Sequence, residues 1–211
     1  MEKILPLFPL NHVIFPYEKL NLHIFEPRYK QLINDCKEND STFGIPVYID
    51  KGIAGYGTEV KLVSIEKVYP DGRMDIKTKA LGIFRIVSFQ NPWKDKLYAG
   101  GKVEPIRWKG ENTWDLKMQL LEKVKQLYNY LNIHIEIHIE HLETLSFEIA
   151  HKIGLSIEQE YHLLQTPSKK ERQEYIIEHL DKAIPMVREL EKTKEIIKLN
   201  GHFKNFDPLQ F

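Results

Sequence analysis

The hydrophobic period of the chain changes once, near Trp108, from about two residues to about 3.6. A strand and a helix cannot share a period, so the chain must join a strand-rich part to a helical part. Before Trp108, "FGIPVYI" (43–49), "GTEVKLVSIEKVYP" (57–70), "RMDIKTKALG" (73–82), "IFRIVSF" (83–89) and "YAGGKVEPI" (98–106) are rich in Val, Ile, Phe and Tyr and read as strands. Asp71-Gly72 is a hairpin turn signal between two of them. Lys77 and Lys79 alternate with Ile76 and Thr78, the mark of a half-exposed strand rather than a binding stripe. One helix interrupts, with Glu26 and Pro27 at its start and Tyr29, Leu32, Ile33 and Cys36 at helical spacing. Many short strands with one helix predict a small, partly closed barrel. "GIAGYG" (52–57) lacks the spacing of a dinucleotide loop and reads as a turn and bulge between strands.

After Trp108, Leu116, Leu120, Val124, Leu127, Tyr128 and Leu131 form one helical stripe. A second helix is expected through Leu142, Leu145, Ile149 and Ile153, stopping at Gly154. Ser156-x-x-Gln159 is a capping box for a short third helix, and Ser168-x-x-Glu171 repeats the pattern before a long fourth. Pro185 should kink or divide that last helix. The chain thus reads as α+β, a barrel over 1–108, a helical bundle over 109–200 and an irregular tail over 201–211.

At 211 residues, such a chain buries a core without staples, and its single cysteine, Cys36, has no internal partner. A reducing compartment, by default the cytoplasm, is expected. Prolines 6, 9 and 16 interrupt the apolar N-terminus, which argues against a signal peptide, and no membrane-spanning run is seen. Thirty basic against thirty acidic residues leave no global field for nucleic acid or an anionic membrane.

Chemistry-bearing motifs are missing: no phosphate loop, no Gly-x-Gly-x-x-Gly before a helix, no nucleophile elbow and no His-Glu-x-x-His. Cys36 falls on an apolar helix stripe, where a thiol behaves as a small hydrophobe. "IHIEIHIEHLE" (133–143) is the one metal-like cluster. As a strand it would put His134, Glu136, His138 and Glu140 on one face; as a helix it would align His134, His138 and His141. Its isoleucines continue the apolar stripe into the next helix, so the polar residues read as a solvated face. No metal and no cofactor is expected.

"LPLFPLNHVIFP" (5–16), "LNLHIFEPRYKQLINDC" (20–36) and "FGIP" (43–46) resemble the N-terminal substrate-binding domain of Lon proteases, particularly the short standalone proteins of that family. "DGRMDIKTKALGIFRI" (71–86) looks like the family's hairpin, though the order Gly82, Ile83, Phe84, Arg85 departs slightly from its pattern. Residues 146–176 are similar to its helical part, and the likeness runs to about residue 195. The resemblance implies a PUA-like β-barrel followed by a helical bundle that binds unfolded or damaged polypeptides. Without the family's ATPase and Ser-Lys protease modules, the chain is expected to bind and not cut. It would then act as an adaptor in protein quality control, with a separate protease as partner. Independently of the resemblance, the long fourth helix could pack on a second copy, making a homo-oligomer, as easily as on its own bundle. The alternative is a PUA-like module for a small ligand or RNA. Phe8, Phe15, Leu22, Ile24 and Phe25 are expected in the barrel core, and Glu26 as a helix cap. Tyr17, Tyr48, Tyr56, Trp93 and Tyr98 fall in or beside expected loops and are the candidate polypeptide contacts.

Overall fold

The computed structural model describes residues 2–107, 113–133 and 144–202, with side chains described as far as residue 198. The elements run β1 (Lys3–Leu7), β2 (Lys19–Ile24), α1 (Pro27–Glu38), β3 (Thr42–Ile49), β4 (Gly52–Val68), β5 (Met74–Gln90), β6 (Ala99–Pro105), α2 (Trp114–Tyr130), α3 (Leu145–Ala150), α4 (Ile157–Gln165) and α5 (Lys169–His202). By contact, the chain forms two compact units, residues 1–110 with 147–168, and residues 111–146 with 169–211.

In the first unit the strand order is β2-β5-β4-β3-β1-β6, and β6 also pairs with β5. The sheet therefore closes into a barrel, with β2 as an added outer strand. The length of β5 makes closure possible, because β2 lies along Met74–Lys79 and β6 along Phe84–Gln90 of the same strand. Only β1 and β3 pair in parallel; the other named pairings are antiparallel. Gly82, which looks like a break between two short strands, lies inside β5, opposite Glu59.

The apolar stripe of α1, Tyr29, Leu32, Ile33 and Cys36, packs with Ile24, Phe43, Ile45, Val60 and Ile76. A second cluster, Leu5, Leu7, Phe84, Ala99 and Val103, fills the barrel from the other strands. Phe8, Phe15 and Ile24 are buried as expected and Leu22 is partly so, but Phe25 is 60 % exposed. It stands beyond the end of β2, where the chain turns into α1, and its ring stacks on His23 instead of entering the core. Glu26 occupies the N-cap position without a side-chain capping bond, because its carboxylate is taken by Arg28.

"GIAGYG" is strand rather than turn, but the expected bulge is there: the register shifts between Pro46, opposite Gly57, and Tyr48, opposite Ile53. Gly57 is needed there because a Cβ would lie 2.5 Å from the Ile45 carbonyl oxygen and 2.8 Å from Phe84 Cζ. Gly72 does form the expected turn, at φ 78°, with Tyr69 and Arg73 bonded across it.

The period change near residue 108 marks where the strands end, not where the first compact unit ends. Residues 147–168, expected in a helical bundle, group with the barrel. Aromatic and charged contacts explain why. Phe147 stacks on Phe15 with ring centroids 5.2 Å apart, and Tyr161 meets Tyr56 edge-on. His151 lies between two carboxylates, with Nε2 2.9 Å from Glu18 and Nδ1 2.7 Å from Glu160, and stacks on His12. Gly154 at φ 78° follows α3, and Ser156 and Gln159 complete a capping box on α4.

In the second unit α2 and α5 pack together. Leu120, Val124, Leu127 and Tyr128 are buried on α2, and Ile176, Ile177, Leu180 and Ile184 on α5. Lys123 pairs with Asp181 between the two helices. Pro185 sits inside one 34-residue helix and does not divide it. The histidine and glutamate run from His134 to Glu143, including His138 and His141, lies outside the described residues, as does the tail after residue 202.

Candidate functional site

Where the ends of several barrel strands converge with the start of α1, the first unit has a cavity of about 340 Å³. Leu7 of β1, Ala99 of β6 and Ile53 of β4 give it apolar wall. Pro9 and Asn11 come from the segment after β1, and Asn91 from the turn after β5. Tyr48 near the end of β3 and Phe89 near the end of β5 stand at it 41 % and 40 % exposed. Val47 is buried in the core, so its strand neighbour Tyr48 points away from it. The Tyr48 N–H donates to the Leu10 carbonyl at 2.8 Å, which ties this end of β3 to the segment after β1.

Arg28 and Tyr29 bring the first turn of α1 to the same cavity. The Arg28 guanidinium donates to one Glu26 oxygen from Nε at 2.8 Å and from Nη2 at 2.7 Å, and lies 4.6 Å over the Tyr29 ring. Tyr29 also packs against Phe8, 4.0 Å away between centroids. Burial raises the Tyr29 hydroxyl above its ordinary range, so it stays protonated. The lining thus combines aliphatic and aromatic surface with two amides and one cation. Among the described lining residues there is no serine, cysteine, histidine, lysine or carboxylate to serve as nucleophile or base. Such a wall can hold an apolar group and hydrogen-bond a backbone beside it.

Of the five aromatic candidates, the structure brings only Tyr48 to this cavity. Trp93 packs its indole over Gly100, where a Cβ would be 2.6 Å from Trp93 Cγ. Tyr98 is a core residue, 4 % exposed, whose hydroxyl donates to Asp35 at 2.6 Å. Burial and the Asp35 carboxylate both push its pKa up, so it remains a donor. Tyr56 is held against Tyr161, and Tyr17, 56 % exposed at φ 74°, lies at the turn before β2. Phe89, Ile53 and Arg28 were not legible as site residues. Each looks locally like an ordinary strand or helix residue, and only barrel closure brings them together.

The description "ATP-dependent protease La (LON) substrate-binding domain" belongs to the family model that matches residues 4–182. The chain belongs to this family of LON substrate-binding domains. No curated protein matches it. Among solved structures, it is similar to the Lon N-terminal domain protein from Xanthomonas campestris, with TM-score 0.61 and 24 % identity over 83 % of this chain and 97 % of that one. It is also similar to the N terminal domain of Mycobacterium avium complex Lon protease, with TM-score 0.63 and 14 % identity over 85 % of this chain and 98 % of that one. At these identities the two structures speak to the fold, an α+β barrel with helices consistent with the PUA-like description. No helix among the described residues is long and apolar enough to cross a membrane.

Proposed function

We propose that this chain is a non-catalytic polypeptide-binding protein that holds apolar segments of unfolded or damaged polypeptides at the cavity beside Tyr48 and Phe89. The observation that carries the reading is the lining: partly exposed aromatic rings and aliphatic wall, two amides, and no acid–base pair. Membership of a family described as substrate-binding supports it. An apolar side chain entering the cavity gains from leaving water, while Asn11 and Asn91 can satisfy backbone groups on either side. Binding of this kind is weak and tolerant of sequence, as suits a protein that passes clients to a separate protease in the cytoplasm.

The test is fluorescence anisotropy of labelled clients, folded and chemically unfolded, against the purified chain. Selective binding of the unfolded forms is expected. Tyr48→Ala with Phe89→Ala should weaken it by about tenfold, the loss of two partly buried aromatic contacts. Absence of binding to every client, or unchanged affinity in the double variant, would overturn the proposal.

A further inference from the structure

The strand register assembles a feature that is scattered in the sequence. Lys79 on β5 lies directly opposite Lys19 on β2 and, across its other edge, directly opposite Lys61 on β4. Directly opposed residues share a face, so three lysines stand in one row across three strands, with about 4.8 Å between neighbouring strands. All three are exposed, while Leu20, Thr78, Ala80 and Val60 alternate with them toward the interior. Like charges directly opposite one another oppose sheet formation.

Nothing nearby neutralises the row fully. Lys61 reaches Asp40 at 3.2 Å, but Lys19 and Lys79 have no ion pair among the described residues. The carboxylates on the surrounding strands are already engaged. Glu59 accepts from Lys3 and Thr42, Asp75 is held by His23 and Tyr69, and Glu66 by Lys77 and Ser64. The row is therefore an unbalanced block of positive charge on the exposed face of the barrel sheet.

We propose that the row of Lys19, Lys79 and Lys61 docks acidic segments of unfolded polypeptide clients. The inference rests on the polypeptide-binding reading and adds a charge preference to it. A carboxylate-bearing chain laid over the row would pair with lysines that now repel one another. A nucleic acid fits less well. Stacking platforms hold single strands through open ring faces, whereas the row itself consists of lysines alone. The chain also has zero formal net charge, so it supplies no long-range attraction for a polyanion.

The test uses the full chain and two labelled unfolded peptides of one sequence, the first with a run of glutamates beside an apolar segment, the second with glutamine at each of those positions. The glutamate peptide should bind about fivefold more tightly at low salt and lose that advantage at high salt. Lys19→Ala with Lys79→Ala should abolish the advantage and leave the glutamine peptide unaffected, whereas Lys19→Arg with Lys79→Arg should keep it. Removing like charges should leave the urea midpoint unchanged or higher, which separates loss of binding from loss of fold. Equal affinity for the two peptides, or a preference that survives the alanine pair, overturns the inference while polypeptide binding stands. No binding of either peptide overturns both. Tighter binding of a single-stranded RNA of equal charge, abolished by the same alanine pair, overturns it in favour of a nucleic acid.

Discussion

Phe84 is fully buried, and its ring tip occupies the space that a Cβ on either Gly44 or Gly57 would need, at 2.7 and 2.8 Å. The two glycines differ in what else confines them. Gly44 is bounded by side chains, Leu7 and Phe84, whereas Gly57 also meets the Ile45 carbonyl and the Pro46 Cα, both at 2.5 Å. Alanine at either position should cost about 1–3 kcal/mol in urea unfolding, the usual penalty of overpacking. Phe84→Leu should recover part of the loss in the Gly44→Ala background and little in the Gly57→Ala background, since backbone cannot yield as a ring does. This level of constraint is hidden in the sequence. A glycine under an aromatic ring and a glycine in a turn are spelled alike, which is why 52–57 reads as a turn although Gly72 is read correctly.

At the scale of elements, periodicity announces the helices after residue 144 and Ser156 marks the start of one of them, but neither tells the compact unit to which they belong. The Ser156 capping box satisfies two backbone donors at once, and Ser156→Ala should cost about 1 kcal/mol. The charged part of the contacts of residues 147–168 with the barrel depends on His151. Burial disfavours its charge, but the Glu160 and Glu18 carboxylates prevail and push its pKa up from 6.5 to about 9. The folded protein therefore holds the proton more tightly than the unfolded chain. The stabilisation is complete below pH 6.5 and is lost as pH rises through about 9. Its size is up to about 3 kcal/mol. Urea unfolding at pH 6 and pH 10 should show that loss in the native chain and little of it in His151→Gln. No spacing rule could have announced the cluster, because Glu18, His151 and Glu160 come from three separate parts of the chain.

For the molecule as a whole, the barrel and the long terminal helix were readable because alternation and 3.6-residue periodicity are local. The lysine row and the cavity were not, because register and closure join residues that are far apart in the chain. The same non-locality limits how the protein can be dissected. A fragment ending at residue 108 keeps every barrel strand but loses Phe147, His151 and Tyr161, which cover Phe15, Glu18 and Tyr56 within one compact unit. It should unfold at lower urea than the full chain carrying His151→Gln, since it forfeits ring packing as well as charge. The pairing of β1 with β6 has a further consequence, for synthesis. At about 5–20 residues per second, Lys3–Leu7 leaves the ribosome roughly 5–20 s before Ala99–Pro105 does, so the nascent chain must hold an unclosed sheet edge throughout. During that interval a protein expected to shelter the unfolded segments of others is itself such a segment.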